Sequence, residues 1–373
     1  MTPAHRHRTG PMGVAVIGCG TISDQYLTNL TAFPDLRVLV CADLDPERAR
    51  AQAEAYGVPG WGGPAEALAH PDVELVVNLT VPAAHAEVGL AAVAAGKHVW
   101  NEKPLTADAA GARELLKAAE AAGVRVGGAP DTFLGAGLQS ALRLIRSGAI
   151  GTPLTALSLM QIPGPESWHP GPEFLYRAGG GPLFDMGPYY LTALVAALGP
   201  VRRVSAVGSR SRDRRTIGSG PRAGTEFEVT VPTHVSALLE FAGGGSATAV
   251  FSFESPQLRL GFVEVTGTDA TLVLPDPNHF DGPARIEDGG PTREVAATGT
   301  TAGRGIGVLD LARAVRSGEP HRATGELALH VLAVMEAVEA AAAAGAPVEV
   351  AGGAPSPQAL PEDWDPYAAT LAP

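Results

Sequence analysis

From Gly13 onward, short apolar runs alternate with stretches in which apolar residues recur every three or four positions. "VAVIG" (Val14 to Gly18) has the unbroken apolar character of a strand buried on both faces, "TISDQYLTNLTAF" has the helical period, and "LRVLVCAD" (Leu36 to Asp43) is a second strand. "PERARAQAEAYG" sets proline early and glycine just past its end, as helices do. "ELVVNLT", "PAAHAEVGLAAVAAG", "KHVWNE", "ADAAGARELLKAAEAAG" and "VRVGGA" continue as strand, helix, strand, helix, strand. This alternation predicts an α/β domain over residues 13–131, a doubly wound parallel sheet with helices on both faces. Residues 1–12 carry charge but lack the apolar core of a signal peptide, and are expected to be a disordered extension.

Around Asp131 the pattern changes. A helix, "GLQSALRLIRSG", leads into "PLTALSLMQI" and then a long loop, "PGPESWHPGPEFLYRAGGG", whose length and aromatic content suit a functional segment. After the helix around "DMGPYYL", strands follow one another without helices between them: 201–209, 233–241, 246–253, 261–266 and 270–274. Successive strands predict a mostly antiparallel open sheet, so residues 132–355 form an α+β domain closed by helices over 305–317 and 326–344. Residues 356–373 read as a loosely held tail, and the basic loop "RSRDRRTIGSGPR" as a solvated one.

A chain of 373 residues with 45% hydrophobic and 18% charged positions has room for two domains and a substantial core. The net charge of -12 disfavours nucleic acid or an anionic membrane surface as a partner and points to a small molecule. Cys19 and Cys41 are the only cysteines, which makes no disulfide framework and suits a reducing cytoplasm. No stretch is expected to reach membrane-spanning length, and no Cys/His cluster has metal-ligand spacing. An apolar strand face with Ala247, Ala249, Phe251 and Phe253 suits either the domain's own helices or a second subunit, and a homodimer or homotetramer is expected.

The chemistry-bearing residues lie where that architecture puts ligands. "GCGTIS" follows the first strand and opens the first helix, so Gly18 permits a tight turn and Gly20 lets the backbone approach a pyrophosphate at the helix N-terminus. Asp43 ends the second strand, where a carboxylate accepts hydrogen bonds from the adenosine ribose or, alternatively, caps the next helix. It would repel a 2′-phosphate, so NAD is preferred over NADP, with Arg48 nearby as the counter-indication. Lys103 of "NEKP" follows a strand's carboxyl end and points to the nicotinamide end of the crevice.

Taken together, "GCGTIS", "ADLD", "PAAH", "AGKHVWNEKP" and "AGGGPLFDMGPYY" resemble the glucose-fructose oxidoreductase / inositol dehydrogenase / rhizopine-catabolism (Gfo/Idh/MocA) family, over about residues 13–348. The resemblance implies a Rossmann domain binding NAD through Gly18, Gly20, Thr21, Ile22, Asp43, Thr80, His85, Glu102 and Lys103. It also implies a sugar or polyol substrate, and Lys103 as a catalytic residue against the reacting carbinol. The family's later motif, G-G-x-x-x-D-x-G-x-H, falls on Gly180, Gly181, Asp185 and Gly187, with Tyr189 in the histidine's place. Tyr189 would then relay the proton, with Lys103 lowering its pKa, and Asp185 would hold a second hydroxyl. Asp131 is expected in the crevice, touching substrate. From the long loop, His169 is a substitute for the missing histidine, Trp168 and Tyr176 either stack on a sugar or anchor the loop, and Arg177 either meets an anionic substrate or pairs with an acid. His85 and His330 also read as packed helix residues. The expected activity is NAD(H)-dependent oxidation of a hydroxyl, or reduction of a ketone, on a carbohydrate-like compound. The alternatives are transient use of bound NAD to cleave a glycoside, and a non-catalytic NAD-binding regulator.

Overall fold

The computed structural model describes residues 9–371, so residues 1–8 of the expected extension lie outside it. The chain divides into two compact units. The first holds residues up to Ala136, Gly299–Leu329 and the segment from Pro357 onward; the second holds Gly137–Thr298 and His330–Ser356.

In the first unit the order is β1 (Met12–Ile17), α1 (Thr21–Leu30), β2 (Leu36–Ala42), α2 (Pro46–Tyr56), β3 (Gly60–Gly62), α3 (Pro64–Ala69), β4 (Leu75–Asn78), α4 (His85–Ala94), β5 (His98–Asn101), α5 (Ala109–Ala122) and β6 (Val126–Gly128). The sheet order is β3-β2-β1-β4-β5-β6, all parallel. Every residue of β1 and β4 is buried, the absence of alternation that two helical layers impose. Met12 is already inside β1 and fully buried, so order starts before the expected boundary. The short β3 and α3 carry too few residues to show a period.

The second unit contains α6 (Ala136–Arg146, whose first residue belongs to the first unit), β7 (Pro153–Gln161), α7 (Gly181–Leu198), β8 (Val201–Ser209), β9 (Arg214–Thr216), β10 (Glu226–Glu228), β11 (His234–Phe241), β12 (Ser246–Ser252), β13 (Arg259–Gly267), β14 (Thr271–Leu274), β15 (Ala284–Glu287) and β16 (Arg293–Val295). The chain then returns to the first unit for α8 (Ile306–Ser317) and runs through α9 (Gly325–Ala344) to β17 (Val348–Glu349) in the second. Nine strands form one sheet in the order β16-β15-β14-β13-β7-β12-β11-β8-β17, antiparallel except where β7 meets β12.

This sheet has one buried face. Along β11, Val235, Ala237, Leu239 and Phe241 are buried while Leu238 is exposed. Ala247, Ala249 and Phe251 of β12 lie on the buried side, and the Tyr190 ring of α7 meets Phe251 edge-on at 5.9 Å. The face that sequence offered to a second subunit is therefore covered by the unit's own helix. The opposite face exposes Val207 and Leu238.

Two further expectations change. The tail is held: the backbone N–H groups of Thr370 and Leu371 each donate to Asp35 at 2.9 Å, and Arg313 reaches Asp35 at 2.7 Å and the Ala368 carbonyl at 2.7 Å. Burial pushes the Asp35 carboxyl up, but these hydrogen bonds outweigh it and hold it below its ordinary value. At 20 residues and a mean hydropathy of 1.7, α9 is long and apolar enough to cross a membrane, although none was expected. With 61% of that stretch buried inside the protein, it is built as a core helix.

Candidate cofactor and active site

At the carboxyl ends of β1, β2 and β4 the first unit opens a cleft of about 640 Å³, lined by Gly18, Gly20, Thr21, Ile22, Asp43 and Thr80 among others. Gly18 has φ +100°, and a Cβ there would sit 2.6 Å from the Leu79 carbonyl carbon, so only glycine makes this turn. Gly20 precedes α1 with no atom within 4 Å of where its Cβ would be. The turn thus leaves room at a helix N-terminus that no side chain caps, a cradle fit for a pyrophosphate.

Asp43 joins the cleft with its carboxylate oriented by the backbone: Oδ2 accepts from the Cys19 N–H at 2.8 Å and Oδ1 from the Asp45 N–H at 3.0 Å. The helix-cap alternative for Asp43 falls away, because Asp45 caps α2 by accepting from Glu47 and Arg48. Arg48 stands 3.9 Å from Asp43. The Cys19 thiol donates toward the Ala42 carbonyl, and its side-chain hydrogen bond with Cys41, together with burial, pushes it well above its ordinary range.

Lys103 follows β5, half-buried, and lies beyond the residues that line this cleft. Three residues expected to touch cofactor or substrate are turned inward instead. Glu102 is buried, with Oε1 accepting from the Tyr26 hydroxyl at 2.8 Å and Oε2 from the Lys103 N–H at 2.7 Å. Full burial, reinforced by that carboxylate, holds the Tyr26 phenol well above its ordinary value. His85 is 1% exposed and bonds two backbone carbonyls. Asp131 is fully buried, and its Oδ2 accepts from the Gly305 and Gly307 N–H groups at 2.8 and 3.1 Å, where α8 begins. It holds a helix start, a role legible only once α8 is known to return to this unit.

Burial pushes the Asp131 carboxyl up to about 6 from 3.8. Between those values the unfolded chain binds fewer protons than the folded one, so stability falls as pH rises from 4 to 6 and levels off above. Asp131→Asn removes that slope while keeping an acceptor for the two N–H groups. Relative to wild type, the variant is expected to gain on the order of 3 kcal/mol between pH 4 and pH 8. Urea unfolding at both pH values checks it; an equal difference at the two would show that Asp131 carries no such penalty.

In the second unit, Asp185 does not cap α7 and is not at its start: the helix begins at Gly181, with Asp185 half-buried in its second turn and Pro188 inside it. Asp185 and Tyr189 stand four residues apart on one face, and Tyr189 is 6% exposed. Gly187 marks a close approach of α9, since a Cβ would meet the Met335 sulfur at 3.2 Å.

The long loop resolves into anchors and an exposed tip. Tyr176 is fully buried and its hydroxyl donates to Glu166, so of its two expected roles it takes the anchor. Burial and that carboxylate push the Tyr176 phenol well up. Arg215, from the loop expected to be solvated, is 2% exposed, bonding Glu166 at 2.5 Å and Glu254 at 2.7 Å, with its guanidinium 5.2 Å from the Tyr176 ring. Arg210, Arg214 and Arg222 also meet carboxylates, on Asp213, Glu226 and Glu173. Trp168 is 64% exposed, edge-on to His169 at 5.6 Å, and His169 in turn meets Phe174 at 5.5 Å. The His169 Nδ1 accepts from the Gly171 N–H, and Arg177 is exposed with its carbonyl closing the turn to Gly180. No sequence signal picked out the Arg215 cluster, because its three charged members come from separate segments.

Comparison with known proteins gives two family matches. Residues 12–128 match "Oxidoreductase family, NAD-binding Rossmann fold", and residues 138–273 match the "GFO/IDH/MocA C-terminal domain". A dTDP-3,4-didehydro-2,6-dideoxy-alpha-D-glucose 3-reductase of Streptomyces antibioticus is 32% identical, over 64% of this chain and 70% of that protein. A D-xylose 1-dehydrogenase (NADP(+)) of Haloferax volcanii is 29% identical, over 83% of this chain and 90% of its own. Among solved structures, an NAD-binding oxidoreductase from Klebsiella pneumoniae superimposes with a TM-score of 0.82 at 23% identity, covering 92% of this chain and all of its own, a likeness of fold.

Proposed function

The chain belongs to the GFO/IDH/MocA oxidoreductase family, and from that membership we propose that it oxidises a hydroxyl, or reduces the corresponding ketone, of a sugar, polyol or sugar derivative by hydride transfer with NAD. The observation that carries the reading is the Gly18 turn with Asp43 fixed beside it, a dinucleotide cradle built by the backbone. Relatives named for a dideoxy-glucose derivative and for xylose support a carbohydrate substrate. When bound, NAD supplies the hydride acceptor. The protein must then remove the hydroxyl proton as the hydride leaves. Lys103 is the residue assigned to that proton, Tyr189 the hydroxyl that relays it in place of the family's histidine, and Asp185 the acceptor for a second substrate hydroxyl. Trp168 and His169 supply an exposed aromatic edge for a sugar ring. The test is a fluorescence screen for NADH formation across sugars and polyols; a protein that binds NADH but turns over none of them, in either direction, would sink the dehydrogenase reading.

NAD is expected to bind at least about tenfold tighter than NADP, roughly 1.4 kcal/mol, because the Asp43 carboxylate is held by two backbone N–H groups and cannot turn from a 2′-phosphate. Calorimetric titration of both decides it. Equal affinities would mean that Arg48, 3.9 Å away, accepts the phosphate.

Assembly is proposed through the open face of the nine-stranded sheet, where Val207 and Leu238 are 70% and 45% exposed. The protein should scatter light as a dimer or tetramer, and Leu238→Asp should shift it toward monomer without lowering its Tm. A Phe251→Asp change would instead disrupt the core beneath α7.

A further inference from the structure

His85 sits at the first position of α4, buried to 1%, and each of its ring nitrogens meets a backbone carbonyl. Nδ1 is 2.7 Å from the Pro104 oxygen and Nε2 is 2.9 Å from the Thr80 oxygen. A carbonyl oxygen only accepts, so each contact needs a ring N–H, and only the imidazolium carries two. A neutral ring would set a lone pair against a carbonyl lone pair at one end, inside the protein, where an unmade bond is costly. The surroundings are arranged for the same two segments. The Asn78 and Asn101 amides both donate to the His85 carbonyl, at 3.2 and 3.3 Å. Asn78 also accepts from the Thr80 hydroxyl at 2.6 Å, and Asn101 donates to the Leu105 carbonyl at 2.8 Å.

We propose that His85, as an imidazolium, is a positioning residue that clamps two strand-end segments at once: Thr80, which lines the cofactor cleft, and Pro104, the neighbour of Lys103. Its ring touches neither cofactor nor substrate; it fixes the segments that do. The part of this inference that concerns catalysis rests on the proposed role of Lys103, whereas the double clamp does not.

The clamp has a direct readout in wild-type protein. Long-range proton–nitrogen NMR of the imidazoles at pH 7, assigned by the signals lost in a variant, should show both His85 nitrogens protonated. One nitrogen with an imine shift would overturn the clamp. Two substitutions then separate its ends, since an asparagine amide mimics Nδ1 and a glutamine amide mimics Nε2. His85→Gln keeps the Thr80 bond and frees Pro104: kcat should fall about tenfold, the worth of one buried hydrogen bond, with the NADH Kd within about twofold. His85→Asn keeps Pro104 and frees Thr80: the NADH Kd should rise about tenfold, with kcat at saturating cofactor within about threefold. Equal effects of the two variants on both constants would reduce His85 to a packing residue. If neither variant folds, the wild-type spectrum decides alone, with the His85 ring assigned through its own backbone resonances. Should Lys103→Ala retain turnover while both nitrogens are protonated, the role of Lys103 fails and the clamp stands.

Discussion

Lys103→Ala is expected to lower turnover by about 100- to 10,000-fold while NADH affinity stays within about threefold, the signature of a lost proton-transfer group. The lysine follows β5, at the carboxyl edge of a doubly wound sheet, where such sheets bind their ligands. Its neighbours are fixed: the Glu102 carboxylate accepts its backbone N–H at 2.7 Å, and the Pro104 carbonyl is held by His85. Alanine therefore removes the amino group with little change in the backbone. Tyr189→Phe is the companion experiment, since it deletes one hydroxyl from a side chain that is 6% exposed and keeps the ring. Turnover is expected to fall about 100-fold with Tm nearly unchanged. Pre-steady-state NADH formation separates hydride transfer from product release in both variants. Wild-type rates in Tyr189→Phe would return that residue to the core and pass the proton to His169 on the loop.

Arg215→Met is expected to destabilise the protein by about 3–5 kcal/mol, since removing one partner of a buried ion pair leaves uncompensated charge. Arg215 is 2% exposed and joins Glu166 at 2.5 Å, Glu254 at 2.7 Å and the Phe253 carbonyl at 3.1 Å. Burial pushes the Glu254 carboxyl up, but hydrogen bonds from Thr233, Ser211 and Arg215 outweigh it and keep it below its ordinary value. That depressed group stabilises the wild type above the ordinary carboxylate range, and the contribution fades as pH falls through its folded value. The variant's deficit should accordingly be largest near pH 7 and narrow in acid. Thermal unfolding at pH 7.5 and 4 measures both. The cluster also joins Glu166 and Tyr176 of the long loop to Phe253, so limited proteolysis should cut the variant within residues 162–177 first. A Tm within one or two degrees of wild type would show that the cluster is dispensable.

Much of the architecture was legible along the chain because burial leaves a period in sequence. β1 and β4 read as unbroken apolar runs since helices cover both faces, and β11 alternates since one face of its sheet is covered and the other is not. Helix ends were legible where a local signal exists, as at Pro46 and Gly57 around α2, whereas the cap at Asp45 was shown only by the structure. The start of α7 carries no such signal, since the helix begins uncapped at Gly181, four residues before Asp185. β9 and β10 were missed because three residues each show no period and Arg215 is buried only through partners far along the chain.

By itself the sequence determined the fold class, the family, the glycine turn after β1, and the placement of Asp43 after β2 and of Lys103 after β5. Each of these depends on neighbouring residues or on a repeating pattern. Only the tertiary structure decided which polar residues are spent on the protein itself. Glu102, His85, Asp131 and Tyr176 are residue types that sites use, and nothing in their local sequence distinguishes a ligand contact from a buried bond to Tyr26, Thr80, Gly305 or Glu166. Those partners lie 5 to 174 positions away, brought together by the packing of the folded chain. The physical reason is that a buried polar group must find a partner, and which partner stands within 3 Å is a property of the packed chain.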